Sequence, residues 1–196
     1  MARVLKPPMP LEWSAGERTV FLAGSIEMGS APDWQSRVEQ GLADTSVVML
    51  NPRRDDWDAS WSQEASDPRF RQQVEWELAA QERADLIVMY FAPTTRAPIT
   101  LLELGLFART GRLLVCCPPG FWRKGNVDVV CQRYGVRTVD SLDTLVAEAR
   151  RMQVLNPRNA FGGRGAHHPM PRPRTSGDGN RTRVAATKSA AHKRAA

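Results

Sequence analysis

The chain has 196 residues, 42% of them apolar and 24% charged, with a formal net charge of +6 and a sequence pI near 9.8. That length accommodates one sizeable hydrophobic core. The placement of charge argues against a basic nucleic-acid-binding domain: residues 156–196 carry nine Lys and Arg against the single acid Asp178, about +8, whereas residues 1–155 carry 18 basic and 20 acidic groups.

In chain order, Pro7, Pro8 and Pro10 mark residues 1–16 as an extended arm without a regular element. A folded domain is expected over residues 17–152, where short, β-branched-rich apolar runs alternate with longer stretches of helical period. The runs Thr19–Ala23, Val47–Leu50, Leu86–Phe91, Leu113–Cys117 and Arg137–Val139 read as strands. Asp33–Ala43, Pro68–Arg83, Pro98–Thr110, Val127–Tyr134 and Leu142–Met152 read as helices. Five strands separated by helices predict an α/β fold, a doubly wound, Rossmann-like parallel sheet whose ligands bind beyond the carboxyl ends of the strands. Residues 153–196, rich in Gly, Pro, Ser, Thr and Ala with Phe161 as their one aromatic residue, predict a disordered basic tail. Nonspecific contact of that tail with nucleic acid is conceivable on charge alone, but a solvated extension is the simpler reading.

Residue types narrow the chemistry further. All three histidines, His167, His168 and His192, lie in the tail, so the domain must do its acid-base work with carboxylates, Lys, Tyr or Cys. Three cysteines, two of them adjacent at Cys116 and Cys117 in an apolar run, argue against a disulfide framework. With no charged-then-apolar leader and no apolar stretch of membrane-spanning length, the expected location is cytoplasmic, with no membrane partner.

Two acids stand out. Glu103 is the one carboxylate between Leu86 and Val127, in the run PITLLELG, which is apolar on almost every side. A helix of that kind is buried, and a lone acid in it must be paired, protonated or functional. A structural salt bridge to Arg109 or Arg112 is the ordinary alternative. Glu77 falls, at 100° per residue, on a stripe with Phe70, Val74 and Gln81 and so points inward, while Glu75 lies on another face. Two carboxylates in one crevice suit glycosyl transfer, one attacking the anomeric carbon while the other handles protons. Asp85, at the start of a strand, reads as a turn or capping residue. Gly24 in AGSIEMG is a weak phosphate-loop signal, because Glu27 opposes a bound anion. Loops rich in Arg and Trp after the strands, including Asn51–Trp57 and GFWRKGN, suit a flat polar ligand such as a nucleobase.

Together, FLAGS at the first strand end, WEL before ADLIVMYF, and the TLLELG helix resemble the nucleoside 2-deoxyribosyltransferase family over roughly Val20 to Val146. The resemblance implies a flavodoxin-like five-stranded parallel sheet of order 2-1-3-4-5, a homo-oligomer that shares its active sites, and a nucleoside-like small-molecule substrate. It implies no metal or organic cofactor. Glu103 becomes the nucleophile that attacks C1′, giving a glycosyl-enzyme that is released to another base or to water with retention. Family members carry an aspartate eight residues before the strand that matches ADLIV. Here that position is Glu77, which becomes the helper that orients Glu103 or assists proton transfer.

The expected substrate-binding set is Gly24, Ser25, Asn51, Thr100, Trp122, Arg123 and Asn126, with Thr100 matching a family hydroxyl position. Two departures stand against the pattern: Ala97 occupies the position of the acid that reads the base, and Glu27 lies where nucleotide-hydrolysing relatives bind phosphate. The reading is thus an N-glycosyl transferase or hydrolase, with a catalytically weak nucleoside- or nucleotide-binding module of the same fold as the alternative. Base, sugar, and transfer versus hydrolysis are not specified by these residues.

Overall fold

A computed structural model of the chain describes residues 1–26, 31–58 and 60–154. Glu27 and, from residue 155 onward, the basic extension lie outside the described residues. The elements are β1 (Arg3–Leu5), β2 (Arg18–Gly24), α1 (Trp34–Leu42), β3 (Val47–Leu50), α2 (Pro68–Arg83), β4 (Leu86–Tyr90), α3 (Pro98–Phe107), β5 (Leu113–Cys116), α4 (Lys124–Tyr134), β6 (Arg137–Val139) and α5 (Leu142–Val154).

The six strands form one parallel sheet of order β1-β3-β2-β4-β5-β6. Without β1, the remaining five strands keep the order expected from the family resemblance. The sixth strand is the correction. The arm expected to lack regular structure pairs Leu5 with Leu50 at the sheet edge, and the Asn51 amide continues the ladder by donating to the Leu5 carbonyl at 2.9 Å. Three residues are too short to show a strand period, and the partner is some 45 positions away in sequence, so nothing local announces it.

The central strands are apolar on both faces because both faces are covered. Phe21, Ala23, Ile87, Met89 and Val115 pack with Trp76, Ala80, Leu104, Phe107 and Val127, beneath α2, α3 and α4. Val20, Leu22, Val88 and Leu114 pack with Trp34, Val38, Leu42, Leu145 and Ala149, beneath α1 and α5. Each such fully buried aliphatic or aromatic side chain contributes roughly 1.5–3 kcal/mol.

The chain leaves β2 for β3 on one side and returns to β4 on the other, so the direction switch falls between the ends of β2 and β4. That junction is close-packed. A Cβ on Gly24 would sit 2.5 Å from the Tyr90 carbonyl oxygen and 2.6 Å from the Trp34 ring, so the position admits no side chain.

Candidate active site

Two helices on the same side of the sheet bring the acids together. α2 starts at Asp67, whose carboxylate accepts from the amides of Arg69 and Phe70 at 2.8 and 3.4 Å, with Pro68 at the first helical position. Its buried residues are Gln73, Trp76, Ala80 and Gln81. The inward face therefore runs through Gln73, Trp76, Ala80 and Gln81, and Phe70, Val74 and Glu77, expected on it, are only partly buried. α3 starts after Ala97, which takes a left-handed conformation (φ 43°, ψ 53°), and buries Thr100, Glu103, Leu104 and Phe107. The outer positions Ile99, Leu102 and Leu106 are 60, 59 and 54% exposed. The expectation of a helix buried all round is thus corrected: α3 is covered on one face alone.

Glu103 is 7% exposed and accepts a hydrogen bond from Gln81 Nε2 at 2.7 Å. The alternative salt bridge does not form: Arg109 turns to the Tyr134 hydroxyl at 3.1 Å, and Arg112 donates to the main-chain carbonyls of Gln81 and Glu82. Burial, and then the charge of Glu77, raise the Glu103 carboxyl from 4.5 to about 8, against the opposing effect of the Gln81 hydrogen bond. Glu77 accepts from Gln73 Nε2 at 2.7 Å, and the same amide donates to the Pro52 carbonyl at 2.9 Å. Burial raises Glu77 from 4.5 to about 7. The two acids thus lie close enough to repel, neither has a cation partner among the described residues, and they hold protons near neutrality as a coupled pair.

The remaining expected residues divide by what occupies them. Gly24 makes the close approach described above. The Ser25 hydroxyl lies 2.7 Å from Thr95 Oγ1 and accepts from the Ala92 amide at 3.1 Å, while its carbonyl accepts from Trp34 Nε1 at 3.0 Å. It therefore ties the ends of β2 and β4 together. Both ends of the Asn51 amide are engaged, donating to Glu39 at 2.6 Å and accepting from the Arg53 main chain at 2.8 Å. Thr100 shares the buried face of α3 with Glu103, one turn nearer the helix start.

Trp122 is half exposed beyond β5. Its indole donates to the Arg96 carbonyl at 3.0 Å, just before α3, and the guanidinium of Arg123 stacks 4.3 Å from its ring. Arg123 and Asn126 are exposed at the start of α4. Asp85, expected as a turn or capping residue, instead ties the starts of β2 and β4 together, accepting from the Thr19 amide and hydroxyl at 2.8 and 3.0 Å. Sequence reasoning did not assign a role to Gln73 or Gln81. The available signal was their spacing of four residues on either side of Glu77, on a stripe otherwise expected to be apolar.

A profile described as "Nucleoside 2-deoxyribosyltransferase like" matches residues 17–121, more than half of the chain. The chain belongs to this family. The matched region of the nucleoside 2-deoxyribosyltransferase-like protein runs from the start of β2 to the loop after β5 and includes both acids. Among solved structures, the protein is similar to a conserved protein from Enterococcus faecalis V583, at 13% identity and a TM-score of 0.53, over 69% of this chain and 98% of that one. At that identity the likeness is one of fold. No curated protein matches the chain. Membership supports nucleoside-related transferase or hydrolase chemistry at the level of the family.

Proposed function

We propose that the protein cleaves or exchanges the N-glycosidic bond of a nucleoside-like substrate by double displacement, with Glu103 as nucleophile and Glu77 as its proton-handling partner. The observation that carries this reading is the approach of two carboxyl groups, Glu103 buried and Glu77 partly buried, with no cation partner among the described residues, raised to about 8 and about 7. A structural acid at either position would gain by pairing with a cation; an acid pair left without one suits a site where positive charge develops at the anomeric carbon.

Loss of one proton from the coupled pair leaves one carboxylate and one acid, and the reactive arrangement is the one in which the remaining proton sits on Glu77. The Glu103 oxygen bonds to the anomeric carbon as the C–N bond breaks, and the bonding electrons depart with the base, which takes up the proton held by Glu77. In the second displacement an acceptor base or water attacks the same carbon, freeing the Glu103 carboxylate and returning a proton to Glu77. Two inversions give net retention. Thr100 contacts the sugar or the nucleophile, while Trp122, Arg123 and Asn126 supply an aromatic and cationic rim for the base. Ser25 and Asn51 contribute by shaping the floor, since their polar groups are already engaged.

The apolar outer stripe of α3 is the basis for proposing a homo-oligomer, a second copy covering Ile99, Leu102 and Leu106. A cytoplasmic setting accords with three free cysteines, all buried. Among the described residues, no helix is long and apolar enough to cross a membrane.

The test is incubation of the full chain with a panel of ribo- and 2′-deoxyribonucleosides, with and without acceptor bases, following free base by chromatography. Turnover by the wild type, reduced at least about 100-fold in Glu103→Ala, is the expected result. If both are equally silent while a nucleoside still binds, the chain is a binding module, the reading that the missing acid at Ala97 favours.

A further inference from the structure

On α2, three polar side chains follow one another at intervals of four residues, Gln73, Glu77 and Gln81, along the inward stripe. Neighbouring positions on that stripe, Trp76 and Ala80, serve the core. Gln81 is 1% exposed, and its amide reaches across to α3, where Nε2 donates to Glu103 Oε1 at 2.7 Å. Glu103 Oε2 has no such partner among the described residues. The carbonyl oxygen of Gln81 is buried without a donor, as is that of Gln73.

An orphaned buried carbonyl is a cost that Met or Leu at the same position would not carry. A glutamine placed for packing is therefore poorly explained, whereas a glutamine placed for its NH2 group is well explained. The groups acting on Glu103 are Glu77 and Gln81, both from α2; no cation reaches it among the described residues.

We propose that Gln81 is the positioning residue for Glu103: its amide holds Oε1 and fixes the carboxyl plane so that Oε2 is the oxygen presented to the substrate. The Gln73–Glu77 bond repeats the device one turn earlier, so α2 sets the orientation of both acids. This assignment rests on the glycosyl-transfer reading for its chemistry but not for its geometry. Because a hydrogen bond from a neutral donor favours the ionised carboxylate over the protonated acid, the amide also sets the pH at which Glu103 becomes a nucleophile.

The experiment follows the Glu103 carboxyl by ¹³C NMR in full-length protein labelled at glutamate, with Glu103→Gln supplying the assignment. Wild type is compared with Gln81→Met, which keeps the length and apolar bulk of the side chain and removes the amide. The expected result is a rise of about one pH unit in the Glu103 midpoint with the circular dichroism spectrum unchanged. In the nucleoside assay, kcat falls with KM little changed, and the acid limb of the kcat profile moves by the same interval. A midpoint that stays put or falls overturns the proposal, whether or not turnover is found. Turnover absent from the wild type would instead count against the glycosyl-transfer reading and leave the titration to decide on Gln81. Should Gln81→Met fail to fold, Gln81→Asn, which withdraws the amide by one methylene, is titrated in the same way. Failure of both variants to fold would assign Gln81 to structure and also overturn the proposal.

Discussion

Glu103 is costly to the fold above neutral pH, because its carboxyl is buried without a cation partner among the described residues. Burial raises the Glu103 and Glu77 carboxyls above the ordinary 4.5, to about 8 and about 7, so the folded chain holds protons that the unfolded chain releases. The stability this contributes is complete below about pH 4.5 and is lost as pH rises through about 7 and about 8. Glu103→Gln, which cannot ionise, is therefore expected to be more stable than wild type by roughly 1–4 kcal/mol at pH 9 and nearly equal to it at pH 4. Thermal melts at the two pH values check the sign: a Glu103→Gln advantage that shrinks as pH rises would contradict the burial argument.

Elements decide where those side chains meet. α2 and α3 approach the sheet from the same side, and the junction they flank is closed by Gly24, Ser25, Trp34 and Thr95. Gly24→Ala should be among the most damaging of small substitutions, because the added methyl meets a main-chain oxygen and a fully buried indole, neither of which can yield. A loss of roughly 2–4 kcal/mol is expected in denaturant unfolding, together with loss of nucleoside binding as the β2 and β4 ends separate. A Gly24→Ala protein with wild-type stability would show that the junction is looser than its contacts imply. Much at this scale was legible beforehand. All five expected strands form, four of them because strands covered on both faces must be apolar throughout and Arg137–Val139 as a largely exposed edge strand, and α2 starts where Asp67 and Pro68 place it. The phase of α2 was read only in part: Gln81 was placed inward and is buried, but Gln73, Trp76 and Ala80, which are buried with it, were not on the expected stripe.

For the whole molecule, the main apolar surface feature is the outer face of α3, where three large apolar side chains stand more than half exposed. Self-association through this face would place two copies of the glutamate-bearing helix side by side, as expected of a family whose sites are shared. Leu102→Asp should shift the protein to a monomer in light-scattering chromatography. If wild type is already a monomer at tens of micromolar, a second copy is not what covers α3. The sheet edge carries a second whole-molecule feature, since the N-terminal arm both adds β1 and, through the Met9 carbonyl, accepts a 2.7 Å hydrogen bond from the Trp76 indole on α2.

The amino-acid sequence by itself determined the layered α/β architecture and singled out Glu103, because apolar periodicity and a lone acid in an apolar run are local properties that burial must respect. Glu77 was found the same way, by helical phase. Tertiary structure alone decided that Arg109 and Arg112 turn away from Glu103, that Gln81 reaches it from another helix, that Ser25 and Asn51 spend their polar groups on the scaffold, and that residues 3–5 become a strand. Each of these depends on which groups from distant parts of the chain come within hydrogen-bonding distance. That is set by how the helices settle on the sheet, and no pattern within a single segment encodes it.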